Sequence, residues 1–245
     1  VTSAVRLAAP AKLTIVLRIV GVRDDGMHLI DAEMVTLDLH DVVVVDPTGR
    51  VGEISTSGPF ASDGPTDATN LAARALALAD RAASLEVVKR IPVGAGLGGG
   101  SADAAAVLRW AGVNDLGAAA RLGADVAFCL VGGRARVRGI GEVVEPLPFV
   151  ERTVTLVTPP VHCSTPAVYR RWDEMGGPTD EGGNDLTVAA LSVAPELGRV
   201  RDELEDATGC RARLAGSGST WFVDGAHPGP GRVVARTVPA GWSPS

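Results

Sequence analysis

Ten residues constrain this chain more than any others: Pro92-Val93-Gly94-Ala95-Gly96-Leu97-Gly98-Gly99-Gly100-Ser101. Residues 86–91 before them read as a strand. Ala102-Asp103-Ala104-Ala105-Ala106 after them opens a helix over residues 101–110. A strand that feeds a glycine bend, which in turn opens a helix, presents free N–H groups and a positive dipole end to an anion. Glycines allow close backbone approach to phosphate oxygens. Ser101 is placed to cap the helix or to reach a phosphate or Mg²⁺. The run has no Gly-Lys-Ser/Thr, so it is not a Walker A loop. Gly94, Gly96 and Gly99 satisfy G-x-G-x-x-G, but no acidic residue closes a second parallel strand at the spacing a dinucleotide fold needs.

Three companions give the loop chemistry. Lys12 lies in Pro10-Ala11-Lys12-Leu13, within a strand expected over 5–20. Asp125 stands alone in Leu122-Gly123-Ala124-Asp125-Val126-Ala127-Phe128. Ala215-Gly216-Ser217-Gly218-Ser219-Thr220 is a second loop of small residues. Each alone has a bland reading: a solvated strand lysine, a helix-capping carboxylate, a hairpin turn. Together they supply a phosphate cradle, a cation, a carboxylate for an acceptor hydroxyl and a closing loop, which is what phosphoryl transfer requires.

The rest of the chain reads as mixed α and β. Strands are expected over 33–46, 86–91, 134–144 (a pair) and 153–158, and helices over 67–84, 117–122, 165–175 and 196–208. Asp67 or Thr69 is the expected cap of the helix over 67–84. The Pro/Gly-rich tail from His227 is expected to be ordered only in part. The best break between domains falls near Val150, after the turn at Pro146 to Pro148.

Composition narrows the partners. The formal net charge is −6 and there is no Lys/Arg-rich run, so neither nucleic acid nor an anionic membrane is an expected partner. Cys129, Cys163 and Cys210 form no CxxC pair, and an odd count of buried thiols suits a reducing cytoplasm. Arg6, Lys12 and Arg18 interrupt the apolar N-terminal stretch, which leaves no signal-peptide core or membrane span there.

In order along nearly the whole chain, these segments resemble the 4-diphosphocytidyl-2-C-methyl-D-erythritol kinases of the GHMP superfamily. The resemblance runs through Ala9-Pro10-Ala11-Lys12, Asp24-Asp25-Gly26-Met27-His28, Asp67-Ala68-Thr69-Asn70-Leu71, the glycine loop and Gly123-Ala124-Asp125-Val126. It continues in Ser164-Thr165-Pro166-Ala167-Val168-Tyr169, Asn184-Asp185-Leu186 and Gly216-Ser217-Gly218-Ser219-Thr220. The glycine loop indicates only the superfamily; the Asp-Gly-x-His turn and the Ser-Thr-x-x-Val-Tyr stretch point to this member.

What the resemblance implies is an α+β protein with a two-lobed GHMP-kinase fold, residues 1–150 and 151–245, and ATP and substrate in the inter-lobe cleft. It implies an ATP- and Mg²⁺-dependent kinase that phosphorylates the 2-hydroxyl of 4-diphosphocytidyl-2-C-methyl-D-erythritol, acting as a monomer or weak homodimer. By the same resemblance Asp125 accepts the hydroxyl proton and Lys12 holds both groups. Pro92, Gly94, Ala95, Gly96, Leu97, Gly98, Gly99, Gly100, Ser101 and Asn70 bind ATP, with Ser101 toward the metal. Thr14, Met27, His28, Thr165 and Gly218 bind substrate. The chain departs from the family pattern at Thr14, where the family has Asn, and at Met27, where it has Tyr. The segment 112–122 is also shorter. The competing readings are a GHMP-type kinase for another small alcohol (a sugar, homoserine or mevalonate) and a non-catalytic ATP-binding protein of the same fold.

Overall fold

The structure is a computed structural model that describes residues 3–244 apart from residue 162. Two long strands, β1 (Val5–Val22) and β2 (His28–Asp46), pair antiparallel along almost their whole length. Pro10 lacks an N–H, and the ladder slips between Pro10 and Lys12 and again between Thr14 and Val16. The two slips isolate Lys12-Leu13-Thr14. Lys12 and Thr14 then share a face, and Lys12 Nζ donates to Thr14 Oγ1 at 3.2 Å.

Around β2 are gathered β3 (Ile54–Ser57), β4 (Ser84–Val88), β5 (Arg134–Gly139) and β6 (Val143–Pro146) in the order β3-β4-β2-β5-β6. Only β3 and β4 run parallel among these pairs. Helices α1 (Leu71–Leu78), α2 (Gly99–Ala111), α3 (Leu116–Leu122) and α4 (Val126–Val131) cover one face of this sheet. The Ala side chains of α2 at 102, 104, 105 and 106 are buried there, and their small size lets the helix sit close to its neighbours.

A second sheet, in the order β10-β7-β9-β8, is built from β7 (Thr153–Val157), β8 (Arg213–Leu214), β9 (Trp221–Asp224) and β10 (Arg232–Arg236). Helices α5 (Thr165–Glu174), α6 (Thr187–Val193) and α7 (Glu196–Thr208) pack on it around Val168, Leu186, Leu197 and Trp221. Between the sheets, Ala11, Leu13, Val35 and Leu37 meet Val154, Leu156, Phe222 and Ala235 in one apolar cluster. Ala95 and Leu97 of the glycine loop are buried in that cluster, so the middle of the core anchors the loop. Among the described residues, no helix is long and apolar enough to cross a membrane.

Several expected boundaries move, each for a local reason. The helix expected over 67–84 is confined to α1, Leu71–Leu78. Asp67 turns its carboxylate onto Thr69 N and Oγ1, and Asn70 is the cap, accepting from Ala72 N at 2.9 Å. The following strand starts at Ser84 and stops at Val88, because the N–H groups of Arg90 and Ile91 leave the ladder for the Asp41 carboxylate. Helix α2 starts at Gly99, so Ser101 is its third residue and not its cap. Strand β2 begins at His28, five residues before the expected start at 33. Helices α4 and α6 were not foreseen. Val-Ala-Phe-Cys-Leu-Val in α4 is apolar all round and carries no helical period to read. The tail expected to be partly ordered contains β10, which pairs with β7 from Arg232 to Arg236.

Candidate active site

Two chambers meet beside Lys12 and Asp125. The first, of about 470 Å³, runs from Asn70 and Lys89 along Pro92 to Gly96 and Gly98 to Ser101. The second, of about 540 Å³, is lined by Lys12, Thr14, Met27, His28, Tyr169 and Asp173 among others. Gly96, Asp125, Thr165 and Pro166 line both. A larger groove, of about 650 Å³, adjoins the first at Pro92 to Gly94; among the described residues its charged lining is Arg90 and Arg232.

The glycine loop is held from both sides. Lys12 N donates to Leu97 O at 2.9 Å, which ties the loop to β1, and Thr220 N donates to Ala95 O at 3.2 Å, which ties it to the small-residue loop. Gly96 adopts φ +77°, and a Cβ there would lie 2.3 Å from Ala215 O. Gly98 adopts φ +66°, and a Cβ there would lie 2.7 Å from Lys12 Cγ. These two positions need glycine because the second loop and the lysine stem pass directly against the backbone. The i→i−4 pattern of α2 leaves the N–H groups of Gly99, Gly100 and Ser101 free of intrahelical acceptors, toward the first chamber.

Asp125 sits at the N-cap position of α4 with φ −84° and makes no capping hydrogen bond. Its Oδ2 lies 3.2 Å from Lys12 Nζ instead. Lys12 is buried, whereas the Asp125 side chain is 29% exposed and open to both chambers. This is a fixed cation with a reachable carboxylate at the junction of two cavities.

His28 lies in the second chamber with its Nε2 2.8 Å from Asp173 Oδ1. Its ring is 4.8 Å from that of Tyr169 and 5.7 Å, edge-on, from that of Trp172. Burial, with Asp125 nearby, pushes the Tyr169 phenol above its ordinary range. Thr165 Oγ1 and Ser217 Oγ are 2.8 Å apart and join the head of α5 to the small-residue loop. Asn184 donates to Leu214 O and Gly216 O and so shapes that loop, while Asp185 binds Arg18 at 2.6 Å.

Of the residues singled out in the sequence, Asn70, Pro92, Gly94, Ala95, Gly96, Gly98, Gly99, Gly100 and Ser101 line the first chamber. Lys12, Thr14, Met27, His28 and Thr165 line the second. Leu97 and Gly218 line neither: Leu97 is 1% exposed in the core, and Gly218 abuts Leu214 and Cys163. Gly216 and Ser217 face the chamber in place of Gly218. Tyr169, Arg170 and Asp173 went unrecognised as site residues. Their signal is in the spacing: Thr165, Tyr169 and Asp173, with Pro166 and Arg170, repeat every four residues and form one face of α5.

Beneath the first chamber Lys89 donates to Asp41 Oδ2 and, at 2.7 Å, to Asp103 Oδ2. Burial pushes the Asp103 carboxyl up to about 7 against the pull of Lys89. Burial lowers the Lys89 ammonium, but Asp103 and Asp41 together hold it above its ordinary value.

Comparison with known proteins places this geometry. Residues 67–133, which hold the loop, α2 and Asp125, match the family described as GHMP kinases N terminal domain. The chain is 39% identical to the 4-diphosphocytidyl-2-C-methyl-D-erythritol kinase of Paracoccus denitrificans (strain Pd 1222), over 97% of this chain and 94% of the relative. It is 35% identical to the enzyme of the same name from Ruegeria pomeroyi, over 98% and 97%. A crystal structure of 4-(cytidine 5'-diphospho)-2C-methyl-D-erythritol kinase superposes with a TM-score of 0.73 at 30% identity, covering 95% of this chain and 99% of that one. Homoserine kinase from Cytophaga hutchinsonii shares the fold, with a TM-score of 0.59 at 18% identity over 98% and 96% of the two chains. With its loop, its lysine–aspartate pair and its near full-length identity to these relatives, the chain belongs to the 4-diphosphocytidyl-2-C-methyl-D-erythritol kinase family of the GHMP kinases.

Proposed function

We propose that the protein transfers a phosphoryl group from ATP to the 2-hydroxyl of 4-diphosphocytidyl-2-C-methyl-D-erythritol. The observation that carries this reading is the meeting of the two chambers at the Lys12–Asp125 pair, whose Nζ and Oδ2 are 3.2 Å apart. The first chamber takes the nucleotide. Its glycine backbone and the free N–H groups of α2 suit phosphate oxygens, and Pro92 with Asn70 forms its outer wall. The second chamber takes the alcohol, with His28, Tyr169 and Asp173 available to a nucleobase and its polar edge.

Asp125 accepts the proton of the acceptor hydroxyl as its oxygen bonds to the γ-phosphorus and the bond from that phosphorus to the bridging oxygen breaks, with ADP as the leaving group. The transition state of phosphoryl transfer is loose, so positioning and charge stabilisation outweigh proton removal. Lys12 is fixed by Thr14 and Asp125 and stabilises the charge that develops between the chambers.

Mg²⁺ fits the donors of the first chamber only as a companion of the nucleotide. Among the described residues no cluster of three or more His, Cys, Asp or Glu could cage a metal. Mg²⁺ commonly binds through few protein oxygens together with phosphates and water. The Ser101 hydroxyl, which lines the chamber beside the loop, is the group that would hold it. When bound, the ion supplies neutralisation of phosphate charge.

In this reading residues 1–150 and 151–245 form the two lobes, and the cleft between them holds both substrates. The unpaired Cys129, Cys163 and Cys210 suit work in a reducing cytoplasm.

The test is a direct assay with ATP, Mg²⁺ and 4-diphosphocytidyl-2-C-methyl-D-erythritol, with the product identified by mass and the phosphate located by NMR. A product phosphorylated once on the 2-hydroxyl is expected. No turnover of this alcohol, combined with turnover of homoserine, mevalonate or a sugar, would overturn the substrate assignment.

A further inference from the structure

A buried ion cluster under the first turn of α2 takes no direct part in the proposed transfer. Asp41 on β2 is fully buried, Lys89 just past β4 is 5% exposed, and Asp103 on α2 is 2% exposed. Asp41 does two things at once. Its Oδ2 accepts from Lys89 Nζ, and its Oδ1 accepts from Arg90 N at 2.5 Å and Ile91 N at 2.8 Å. The two N–H groups belong to the residues that lead into the glycine loop. Lys89 N is itself held by Ser57 O at 2.7 Å, so the entry to the loop is pinned at three successive amides.

The exit is pinned by the same lysine. Lys89 Nζ donates to Asp103 Oδ2 at 2.7 Å, in the second turn of α2. A Cβ placed on Gly99, the first residue of α2, would lie 3.2 Å from Lys89 Nζ, so the ammonium rests against the backbone where the helix begins. One cation therefore ties the strand that enters the loop to the helix that leaves it.

Stability alone does not favour this arrangement. Among the described residues Asp103 Oδ1 has no hydrogen-bond partner although it is buried, which is costly for a carboxylate. Well-packed neutral groups commonly replace a buried ion cluster without loss of stability. What charged groups add is geometry, because their hydrogen bonds are short and directional. The place where geometry matters is the nearby row of free N–H groups at Gly99, Gly100 and Ser101.

We propose that Asp41, Lys89 and Asp103 are positioning residues that clamp both ends of the glycine loop in its phosphate-receiving shape. This rests on the reading of that loop as the ATP site. None of the three is asked to touch the acceptor alcohol, so loosening the clamp should act on ATP and spare the alcohol.

The experiment compares Asp103→Leu, which removes the acceptor for Lys89, with Asp103→Asn, which keeps one. Amide hydrogen exchange over residues 92–101 is measured without nucleotide, and KM is measured for ATP and for the acceptor. Loss of a charge-assisted hydrogen bond should raise the KM for ATP on the order of tenfold in Asp103→Leu. The KM for the acceptor, and kcat at saturating ATP, should stay within about twofold. Loop exchange should quicken in parallel. Asp103→Asn should bring both readouts back toward wild type.

If Asp103→Leu does not fold, the neutral set Asp41→Asn, Lys89→Met and Asp103→Asn replaces it, with the same expectation. A folded variant with unchanged loop exchange and unchanged KM for ATP would overturn the proposal. So would a rise in KM shared equally by ATP and acceptor, because a general structural defect behaves that way. If the wild type binds no ATP, the reading of the loop as the ATP site fails, and the exchange measurement alone still decides the clamp.

Discussion

Asp125 heads α4 through its carbonyl, which accepts from Cys129 N at 3.0 Å, yet its side chain caps nothing; the carboxylate is turned to Lys12, with Oδ2 3.2 Å from Nζ. A carboxylate at an N-cap position ordinarily accepts from its own helix. Here α4 starts without that help, and the freed carboxylate faces both chambers.

This relationship separates a catalytic from a structural role. Asp125→Asn keeps the size of the side chain and removes the proton acceptor. The turnover rate should fall by about 10²–10⁴. Thermal stability and ATP affinity should stay close to wild type, because no cap is lost. Early melting of the variant would show that the side chain supports α4.

Gly98→Ala tests the contact between loop and lysine. The added Cβ would meet Lys12 Cγ at 2.7 Å, in a residue with φ +66°. Strain of about 1 kcal/mol accompanies such a φ in a residue with a side chain. The larger effect is displacement of Lys12. ATP affinity and kcat should therefore both drop, with kcat/KM down at least about tenfold. A variant that weakens ATP binding but keeps kcat would mean that Lys12 does not depend on the loop.

Met27 stands at the mouth of the second chamber and is 46% exposed. A Tyr there would not be forced into the core. Base stacking on an aromatic ring contributes about 1–3 kcal/mol, against about 0.3–1.5 kcal/mol for a sulfur–aromatic contact. Met27→Tyr should lower the KM for the cytidine-bearing alcohol and leave that for ATP alone. Titration of both folded proteins with cytidine diphosphate checks it. Equal or weaker binding by the Tyr form would count against a cytosine at this position.

Asp103 gives stability a pH dependence. Burial holds its carboxyl at about 7, above the ordinary carboxylate value of 3.8. The folded state thus binds this proton more tightly than the unfolded chain. Its contribution is fully present below pH ~4 and is lost as pH rises through ~7. Asp103→Asn has no such proton to lose. Relative to wild type it should gain stability between pH 5 and pH 8, by up to a few kcal/mol. Melting curves across that range decide it, and parallel curves for the two proteins would show that Asp103 does not titrate there.

Much of the site was legible in residue order because its chemistry is local. The loop from Pro92 to Ser101 needs only consecutive glycines before an alanine-rich helix, and a strand–bend–helix turn can be recognised from its own residues. Lys12 and Asp125 were legible as a cation and a carboxylate in otherwise apolar stretches. The acceptor side was harder to read. Tyr169 and Asp173 share a helical face with Thr165, but nothing in α5 says that His28 of a distant strand lies against that face.

What the sequence by itself determined is therefore the phosphate loop, the alternation of strands and helices and the kinds of group available for catalysis, since these follow from the period and chemistry of neighbouring residues. What only the tertiary structure decided is which groups meet. It turned Asp125 away from its own helix, joined Asp41, Lys89 and Asp103 from three separate elements, and put Gly216 and Ser217 rather than Gly218 in the chamber. Each of these depends on packing between segments far apart in the chain, and the cost of burying a charge or closing a loop is settled only when those segments come together.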